Sequence, residues 1–371
     1  MTVRTTAAGE HYRAGAVHRF LLGSDYRDLW TTPVTVPVLD MRSFAGGLTP
    51  VRRVGGQQTL GLALKGADGM AYTFRGVDKD PSEILPPDYR GTFLNKLMQD
   101  QIASSFPGGS VVVPPLLEAA GVLHVEPEMV VMPDDSSLGE FRSAFAGALG
   151  TIEEYPTAGK DGAGTFGATE IINGEEMWKR MDASSADRPD ARAFLTARLV
   201  DLLIGDWDRH RNQWHWARIP GNELWQPIPE DRDQAFVRFE GLIQTLGRER
   251  LPQFVNFTQE YPDIDGLTWN GRDGDRRILV DLEKPVWDEI AASVQSRITD
   301  AVIADAIARM PAEYRELEGA QIEKALRQRR DDLKAESDRF YRFLAKRVDV
   351  RTSAEAEVAR VTHEETGDVR V

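Results

Sequence analysis

The chain of 371 residues contains no cysteine. It therefore has no disulfide, no thiolate ligand for a metal and no thiol nucleophile, which excludes cysteine-dependent hydrolases and thiolate zinc sites. No G-x-S-x-G motif occurs, so serine hydrolysis has no support. His210 and His215 lie five positions apart, a poor spacing for two metal ligands on one helix face. The sequence therefore predicts no histidine metal site.

Positive charge and long apolar runs are also scarce. The formal net charge is −14 at pH 7, which disfavours nucleic acids and anionic membranes because both need clustered cations. No stretch approaches the roughly 20 apolar residues of a membrane helix. The first residues lack an apolar signal core. We therefore expect no nucleic-acid partner, no membrane span and no export signal in this chain.

The first part of the chain alternates strand patterns with turns. Residues 48–54, 60–66 and 71–77 read as strands, separated by glycine-containing turns. Residues 92–105 carry apolar side chains at helical spacing, and Pro107 bounds them. A short helix and two further strands follow, the second ending at Pro156. This pattern predicts a small sheet that carries one helix.

The second part is mainly helical. The Gly-, Asp- and Ser-rich segment 157–190 is typical of a mobile connection. A helix is predicted over 191–207, then two short strands, then helices up to residue 348. We predict an α+β, two-lobed fold with a β-rich N-lobe (1–156), a mainly helical C-lobe (157–350) and a C-terminal extension (351–371).

The stretch from residue 202 to 236 carries the most chemical information. Asp208 directly follows the apolar helix, Gln213 lies five positions later, and Asp231 follows the second short strand. Phosphoryl transfer needs one carboxylate that faces the attacking hydroxyl, one side-chain oxygen for a metal and a second carboxylate that bridges this metal to the phosphates. The order of residues predicts a catalytic loop formed by Asp208, Arg209 and His210.

Each of these residues has a plain structural alternative. Asp208 could pair with Arg209 or Arg211 and fix a turn. Asn212 competes with the adjacent glutamine for the role of metal ligand. Asp231 and Asp233 could form an ordinary solvated charge cluster, which is common in an acidic chain. The order of all the groups together favours the catalytic interpretation.

A glycine-containing turn between the first two strands of the sheet could bind phosphate. Small residues allow backbone N–H groups to approach an anion closely, although a Gly-Gly pair between strands more often forms a simple hairpin turn. The turn consists of Gly55, Gly56, Gln57, Gln58 and Thr59.

Two cations near the third strand are candidates for phosphate contacts. We expect Arg75, on the strand, to contact phosphate more than Lys79, which the sequence places in the loop beyond. Asp100 on the following helix is expected to steady Arg75. The adenine base is expected near a hinge at Glu153, Glu154 and Tyr155.

Three short motifs resemble an atypical kinase superfamily. Residues 74–81 (FRGVDKDP) resemble the F-K-P-x-D-x-x-P stretch of type II phosphatidylinositol 4-kinases. Residues 208–214 (DRHRNQW) and 231–236 (DRDQAF) resemble their D-R-G-x-x-N-W and D-N-G-x-A-F motifs. The resemblance extends to HipA-like and CotH-like kinases. Most of the chain is similar to kinase-like domains that precede bacterial outer-membrane surface-antigen β-barrels.

The resemblance implies a protein-kinase-like fold that binds ATP and Mg²⁺ and phosphorylates a hydroxyl on a protein, lipid or small molecule. It implies metal ligation by Gln213, Asp231 and Asp233, and association with an outer-membrane β-barrel on the periplasmic side of the envelope, with the cytoplasm not excluded. Arg75 and Gln213 replace a Lys and an Asn of the motifs, so a nucleotide-binding pseudokinase or interaction module is an alternative. A glycosyltransferase that uses Asp206 and Asp208 as a D-x-D pair is another.

Overall fold

The computed structural model describes residues 2–55, 59–83, 86–160, 163–348, 350–356, 358, 360–365, 367 and 369–370. The strands are β1 (Val3–Thr6), β2 (Val34–Pro37), β3 (Leu48–Val54), β4 (Thr59–Gly66), β5 (Ala71–Lys79), β6 (Glu128–Val131), β7 (Leu149–Tyr155), β8 (Glu170–Asn173), β9 (Trp214–Arg218), β10 (Gln226–Pro229), β11 (Thr362–His363) and β12 (Val369–Arg370).

The longest helices, of 14 to 26 residues, all lie after residue 190. The helices are α1 (Ala16–Leu22), α2 (Arg27–Thr31), α3 (Phe93–Gln101), α4 (Gly109–Val112), α5 (Pro114–Ala120), α6 (Arg142–Phe145), α7 (Gly174–Ala183), α8 (Ala191–Ile204), α9 (Leu242–Gly247), α10 (Ile264–Leu267), α11 (Arg272–Ile278), α12 (Lys284–Arg297), α13 (Asp300–Ala308), α14 (Ala312–Tyr314) and α15 (Ala320–Ala345).

The front lobe is built on an antiparallel sheet in the order β3-β4-β5-β7-β6. Side chains alternate between the two faces of a strand. Leu62, Phe74 and Ile152 therefore point to one face, where they form a buried apolar cluster with Phe145. The alternate residues of β5 and β7 point to the opposite face, which turns toward the helical lobe. This alternation leaves the polar face of the sheet at the cleft.

Helix α8 is the centre of the rear lobe. The Asp190 side chain accepts a hydrogen bond from the N–H of Ala193 and caps its start. Its end is fixed by Gly205, whose φ of +73° suits glycine. The predicted helix over 191–207 therefore ends earlier, at Ile204. The chain then reaches Asp208 at the cleft through a short non-helical segment. Helices α12 and α15 pack against α8.

The segment 157–190 differs from the predicted connection. It contains β8 and α7, and β8 joins β9 and β10 in an antiparallel sheet of order β10-β9-β8. The Asn173 side chain caps α7 by accepting from the N–H of Glu176. The composition of 157–169 hid this structure because several glycines precede the strand. A mobile connection over the whole segment is therefore wrong.

The predicted α+β fold of two lobes is confirmed, with a β-rich front lobe and a mainly helical rear lobe. The domain boundaries at residues 156 and 350 stay a prediction. The short β11–β12 pair lies in the predicted C-terminal extension. Among the described residues, no helix combines the length and apolarity needed to cross a bilayer.

Candidate functional site

A cavity of about 790 Å³ lies between the front-lobe sheet and the loops that follow α8 and β10. Two cations line it from the front lobe, and acids and amides line it from the rear lobe. The lining includes Arg75, Lys79, Asp208, His210, Asn212, Gln213, Asp231 and Asp233. The structure therefore brings together most of the residues that the sequence predicted for phosphoryl transfer. Their roles stay predictions.

Asp208 lies at the cavity wall with its side chain 22% exposed. Its backbone N–H donates to Oδ1 of Asp206 at 3.2 Å. Its own Oδ1 accepts a hydrogen bond from Nδ2 of Asn270 at 2.5 Å. The Nε2 atom of His210 is 3.8 Å from the same oxygen. The Asp208 carboxylate is therefore held in place at the cavity while remaining accessible.

A buried network of arginines and aspartates lies beneath Asp208. Arg198 donates from Nε and Nη2 to the two oxygens of Asp275, at 2.6 and 2.9 Å. Arg198 also donates to Asp201 at 2.8 Å. Arg232 contacts both Asp201 and Asp206. Such charges are stable inside a protein only when they are paired and hydrogen-bonded.

Arg209 belongs to this network and does not line the cavity. It is 2% exposed, and it donates to the carbonyl oxygens of Glu230 at 2.7 Å and Gln213 at 2.8 Å. Its Nη1 also lies 3.4 Å from Asp206. Arg209 therefore links the Asp208 loop to the Asp231 loop from below. Its guanidinium faces the buried network and not the cavity.

Asp231 and Gln213 form the better-placed half of the predicted metal site. The Gln213 amide hydrogen-bonds the Asp231 carboxylate, and Asp231 has a left-handed backbone with φ of +50°, a conformation that aspartate tolerates better than most residues. Burial alone would raise the pKa of Asp231, but the charges of Arg75, Lys79 and Arg209 outweigh it and hold this pKa below its usual range. The carboxylate is therefore ionised at neutral pH.

Asp233 contacts the ammonium of Lys79 across the cavity. Asn212 is exposed at the cavity edge, where its N–H donates to Nδ1 of His210 at 3.2 Å. Among the described residues, no three His, Asp or Glu side chains are grouped as a metal site.

Lys79 is the last residue of β5, so its predicted position in a loop beyond the strand is wrong. The strand continues past Val77 because an irregularity in the β4–β5 register keeps Thr59 opposite Lys79. Burial lowers the pKa of Lys79, against the charges of Asp231 and Asp208. Lys79 and Arg75 therefore line the same cavity.

The predicted partnership of Asp100 with Arg75 is wrong. Asp100 accepts two hydrogen bonds from Arg27, at 2.9 and 2.7 Å, and contacts Nε2 of His18 at 2.8 Å. Arg75 donates instead to Glu153 on the neighbouring strand at 3.0 Å. The buried Arg27 sits on the N-terminal segment, and only the folded chain brings it to α3.

A second cavity of about 710 Å³ lies under the β3–β4 hairpin. Ala63, Thr73 and Tyr155 line it from the sheet face and the end of β7, and Arg75 lines both cavities. Gly55 lines its outer end with φ of +103°. Of the predicted turn, Gly56, Gln57 and Gln58 lie outside the described residues, and Thr59 begins β4.

The two predicted hinge glutamates have different surroundings. Glu153 faces the cleft and pairs with Arg75. Burial raises the pKa of Glu153, and the charge of Arg75 opposes this shift. Glu154 accepts a hydrogen bond from Oγ1 of Thr165 at 2.6 Å. Contact with an adenine base stays a prediction for both residues.

Sequence reasoning missed a polar chain that connects the lobes beside the site. The Tyr155 hydroxyl is 3.1 Å from Nε2 of His215, and Nδ1 of His215 is 2.7 Å from Glu230. It also missed Asn270, Asp201 and Asp275. Arg198 and Asp201 carried a signal, because two charged residues in an otherwise apolar helix predict buried partners. Asn270 carried none, since it lies 62 positions from Asp208.

Comparison with protein-family models and with curated proteins found no match. Among solved structures, the chain is similar to a proinflammatory kinase of Helicobacter pylori, CtkA, with 13% identity and a TM-score of 0.40, over 84% of this chain and 99% of that chain. It is similar to a Golgi casein kinase with 9% identity and a TM-score of 0.42, over 91% of this chain and 84% of that one.

A third similar structure is the toxin–antitoxin complex of HipA, HipB and operator DNA from Shewanella oneidensis MR-1. The match has 13% identity and a TM-score of 0.37, over 93% of this chain and 74% of that one. Because these similarities are low, we base the proposed function on the residues of this chain.

Proposed function

We propose that the chain is an ATP- and Mg²⁺-dependent phosphotransferase that acts on a hydroxyl group. One observation carries this proposal. Arg75 and Lys79 line one side of a single cavity, and Asp208 lines the other side together with Asp231 and Gln213. Phosphoryl transfer is catalysed by positioning and by charge stabilisation, which need this combination of cations, a metal-binding carboxylate and a carboxylate base.

The two adjoining cavities suit the two ends of a nucleotide. The cavity under the β3–β4 hairpin has the small side chain of Ala63 and the ring of Tyr155 at its walls, which suits a base and a ribose. Arg75 borders both cavities. The phosphates would extend past Arg75 toward Lys79, where each guanidinium or ammonium group can bind phosphate oxygens.

The residues present fit Mg²⁺. Asp231 and Gln213 supply a carboxylate and an amide oxygen, which are hard ligands, and Mg²⁺ usually completes its shell with phosphate oxygens and water. Asp233 would become a further ligand if its carboxylate released the ammonium of Lys79 and bound the metal instead. When bound, the metal neutralises the charge that develops on the transferred phosphoryl group.

Asp208 is the proposed acceptor of the hydroxyl proton. Its carboxylate lies at the cavity, one oxygen is engaged by Asn270, and its loop is fixed from below by Arg209. The second oxygen can accept the proton of a hydroxyl that approaches from the cavity. The identity of this acceptor, the β-barrel partner and the compartment stay predictions that rest on the resemblance.

Nucleotide binding without catalysis is the second candidate function. The contact between Lys79 and Asp233 favours it, because this pair engages one phosphate-binding cation with one metal-binding acid. The glycosyltransferase alternative has less support. Asp206 is 1% exposed and pairs with Arg209 and Arg232, so it could ligate a metal only by leaving these partners unpaired.

Substitution of Asp208 tests the proposal. Asp208→Asn should lower MgATP turnover by roughly 10²–10⁴-fold, the usual contribution of a positioned base. ATP affinity should be unchanged because the cations and the metal ligands remain. Turnover is measured as release or transfer of labelled γ-phosphate, and affinity by calorimetry. Asp273→Asn, at an exposed position of α11, is the matched control.

The outcomes separate the candidate functions. ATP binding by the parent without any turnover would support the non-catalytic nucleotide-binding module. Absence of binding at millimolar MgATP would contradict both candidates. Binding of a nucleotide sugar in place of ATP would support the glycosyltransferase alternative.

A further inference from the structure

We propose that Asn270 is a positioning residue that orients the catalytic carboxylate of Asp208, an inference that rests on the proposed function. The two residues are 62 positions apart, and Nδ2 of Asn270 lies 2.5 Å from Oδ1 of Asp208. An ionised carboxylate can only accept hydrogen bonds, so the Asn270 amide nitrogen must be the donor. This bond joins the turn before α11 to the catalytic loop.

The turn that carries Asn270 is built to lie against the catalytic loop. The N–H of Gly271 donates to the carbonyl of Thr268 at 3.0 Å. A side chain at Gly271 would come within 2.8 Å of Arg198 and 3.3 Å of the Arg209 carbonyl. Only glycine therefore allows this close approach without a shift of its neighbours.

The same turn is anchored on its other side. Asp275, one helical turn after Gly271, holds Arg198 with two hydrogen bonds, and its N–H donates to the Gly271 carbonyl at 2.9 Å. The hydroxyl of the fully buried Thr268 donates to the Ile264 carbonyl at 2.7 Å. Asn270 is thus carried on a rigid support, which is what a precise hydrogen bond to Asp208 requires.

The bond fixes which way the Asp208 carboxylate faces. It engages Oδ1, on the side where His210 also lies, and so presents Oδ2 to the incoming hydroxyl. Without Asn270 the carboxylate can rotate, since its terminal torsion has a broad energy minimum. The proton acceptor is then misplaced in a fraction of the molecules, while the nucleotide site is unchanged.

Two substitutions at Asn270 test the inference. Asn270→Ala removes the donor, and Asn270→Asp keeps the shape but sets a second carboxylate against Asp208. Both should lower kcat by roughly 10²-fold, the cost of a small misplacement of a reacting group. The KM for MgATP should stay unchanged. Turnover is measured as phosphate release from MgATP with water as the acceptor, and Asn222→Ala, in an exposed turn, is the control.

A double-substitution cycle separates positioning from a merely structural role. If Asn270 acts through Asp208, Asn270→Ala should have no further effect on the residual turnover of Asp208→Asn. If the role of Asn270 were structural, Asn270→Ala would instead lower the turnover of the parent and of Asp208→Asn by the same factor. It would also lower the melting temperature of both proteins. Normal kcat in both Asn270 variants of an active parent would overturn the inference alone. A parent without turnover would overturn the proposed function and this inference with it.

Discussion

The two walls of the cavity hold their charges in different ways. Beneath the rear wall, Asp201 and Asp206 contact three arginines between them, and these arginines bridge to Asp275 and to backbone carbonyls. On the front wall, Arg75 donates to the carboxylate of Glu153, and the ammonium of Lys79 contacts Asp233 across the cavity. The first arrangement fixes a loop through many mutual contacts. In the second, each cation pairs with one carboxylate, which it can exchange for another anion.

The difference matches what each wall would do in a phosphotransferase. A proton acceptor must be in place before the reaction, and a loop with many buried partners does not move. The cations must exchange their protein carboxylates for phosphate oxygens when a nucleotide binds, and a singly paired cation loses less by the exchange.

The buried network beneath the rear wall should be the most sensitive to loss of charge. Arg198→Met leaves Asp201 and Asp275 buried with fewer partners, so the free energy of unfolding should fall by roughly 3–5 kcal/mol. Urea unfolding measures the change. Arg342→Met is the matched control, because this exposed arginine pairs only at the surface with Asp338 and should cost less than about 1 kcal/mol. Equal effects of the two substitutions would contradict the distinction between the walls.

Removing a cation from the front wall should lower nucleotide affinity more than it lowers stability. Lys79→Met and Arg75→Met should each weaken MgATP binding by roughly 1.5–3 kcal/mol, the value of a hydrogen bond to a charged group. We expect the larger loss from Lys79, since its ammonium already contacts Asp233, a proposed metal ligand. Calorimetry measures the affinity, and Lys96→Met, at an exposed position of α3, is the control. A larger loss from Arg75→Met would restore the ranking that the sequence indicated.

Local patterns in the sequence predicted the elements but could not predict the partners of their charges. The sheet, the helix before the site and the order of Asp208, Gln213 and Asp231 follow from alternation, helical spacing and turn residues. The pairing of Asp100 with Arg27 could not be predicted, because it joins residues 73 positions apart. Lys79 was assigned to a loop because a register irregularity does not change the local residue pattern. Distant contacts of this kind decided the details of the site.

A buried carboxyl outside both walls gives a smaller, pH-dependent test. Asp25 accepts from the N–H of Glu240 at 3.1 Å, and Arg27 is 3.9 Å away. Burial outweighs these contacts and raises the pKa of Asp25 to about 7. In the network, by contrast, three arginines overcome burial and lower the pKa of Asp201. One weak ion pair is therefore not equivalent to a network.

The sign of the pH effect follows from the raised pKa. An unfolded aspartate titrates near pKa ~3.9, so the stabilising contribution of protonated Asp25 is complete below that pH and is lost as the pH rises through about 7. Asp25→Asn should therefore raise the free energy of unfolding at pH 8 by roughly 1–3 kcal/mol, and by less at pH 5. Urea unfolding at both pH values measures it, with the exposed Asp28→Asn as control. A gain that is equal at both pH values would contradict the assignment.

The buried support under the catalytic loop also sets an order of assembly during synthesis. Arg198 needs Asp275, which is made 77 residues later, and the Leu202 carbonyl accepts from Arg329, which is made 127 residues later. Because a chain is synthesised from its N-terminus, the front-lobe sheet can pair its strands long before these partners emerge. The nascent protein can thus form its front-lobe sheet early, and it completes the wall that carries Asp208 only when the last long helix has left the ribosome.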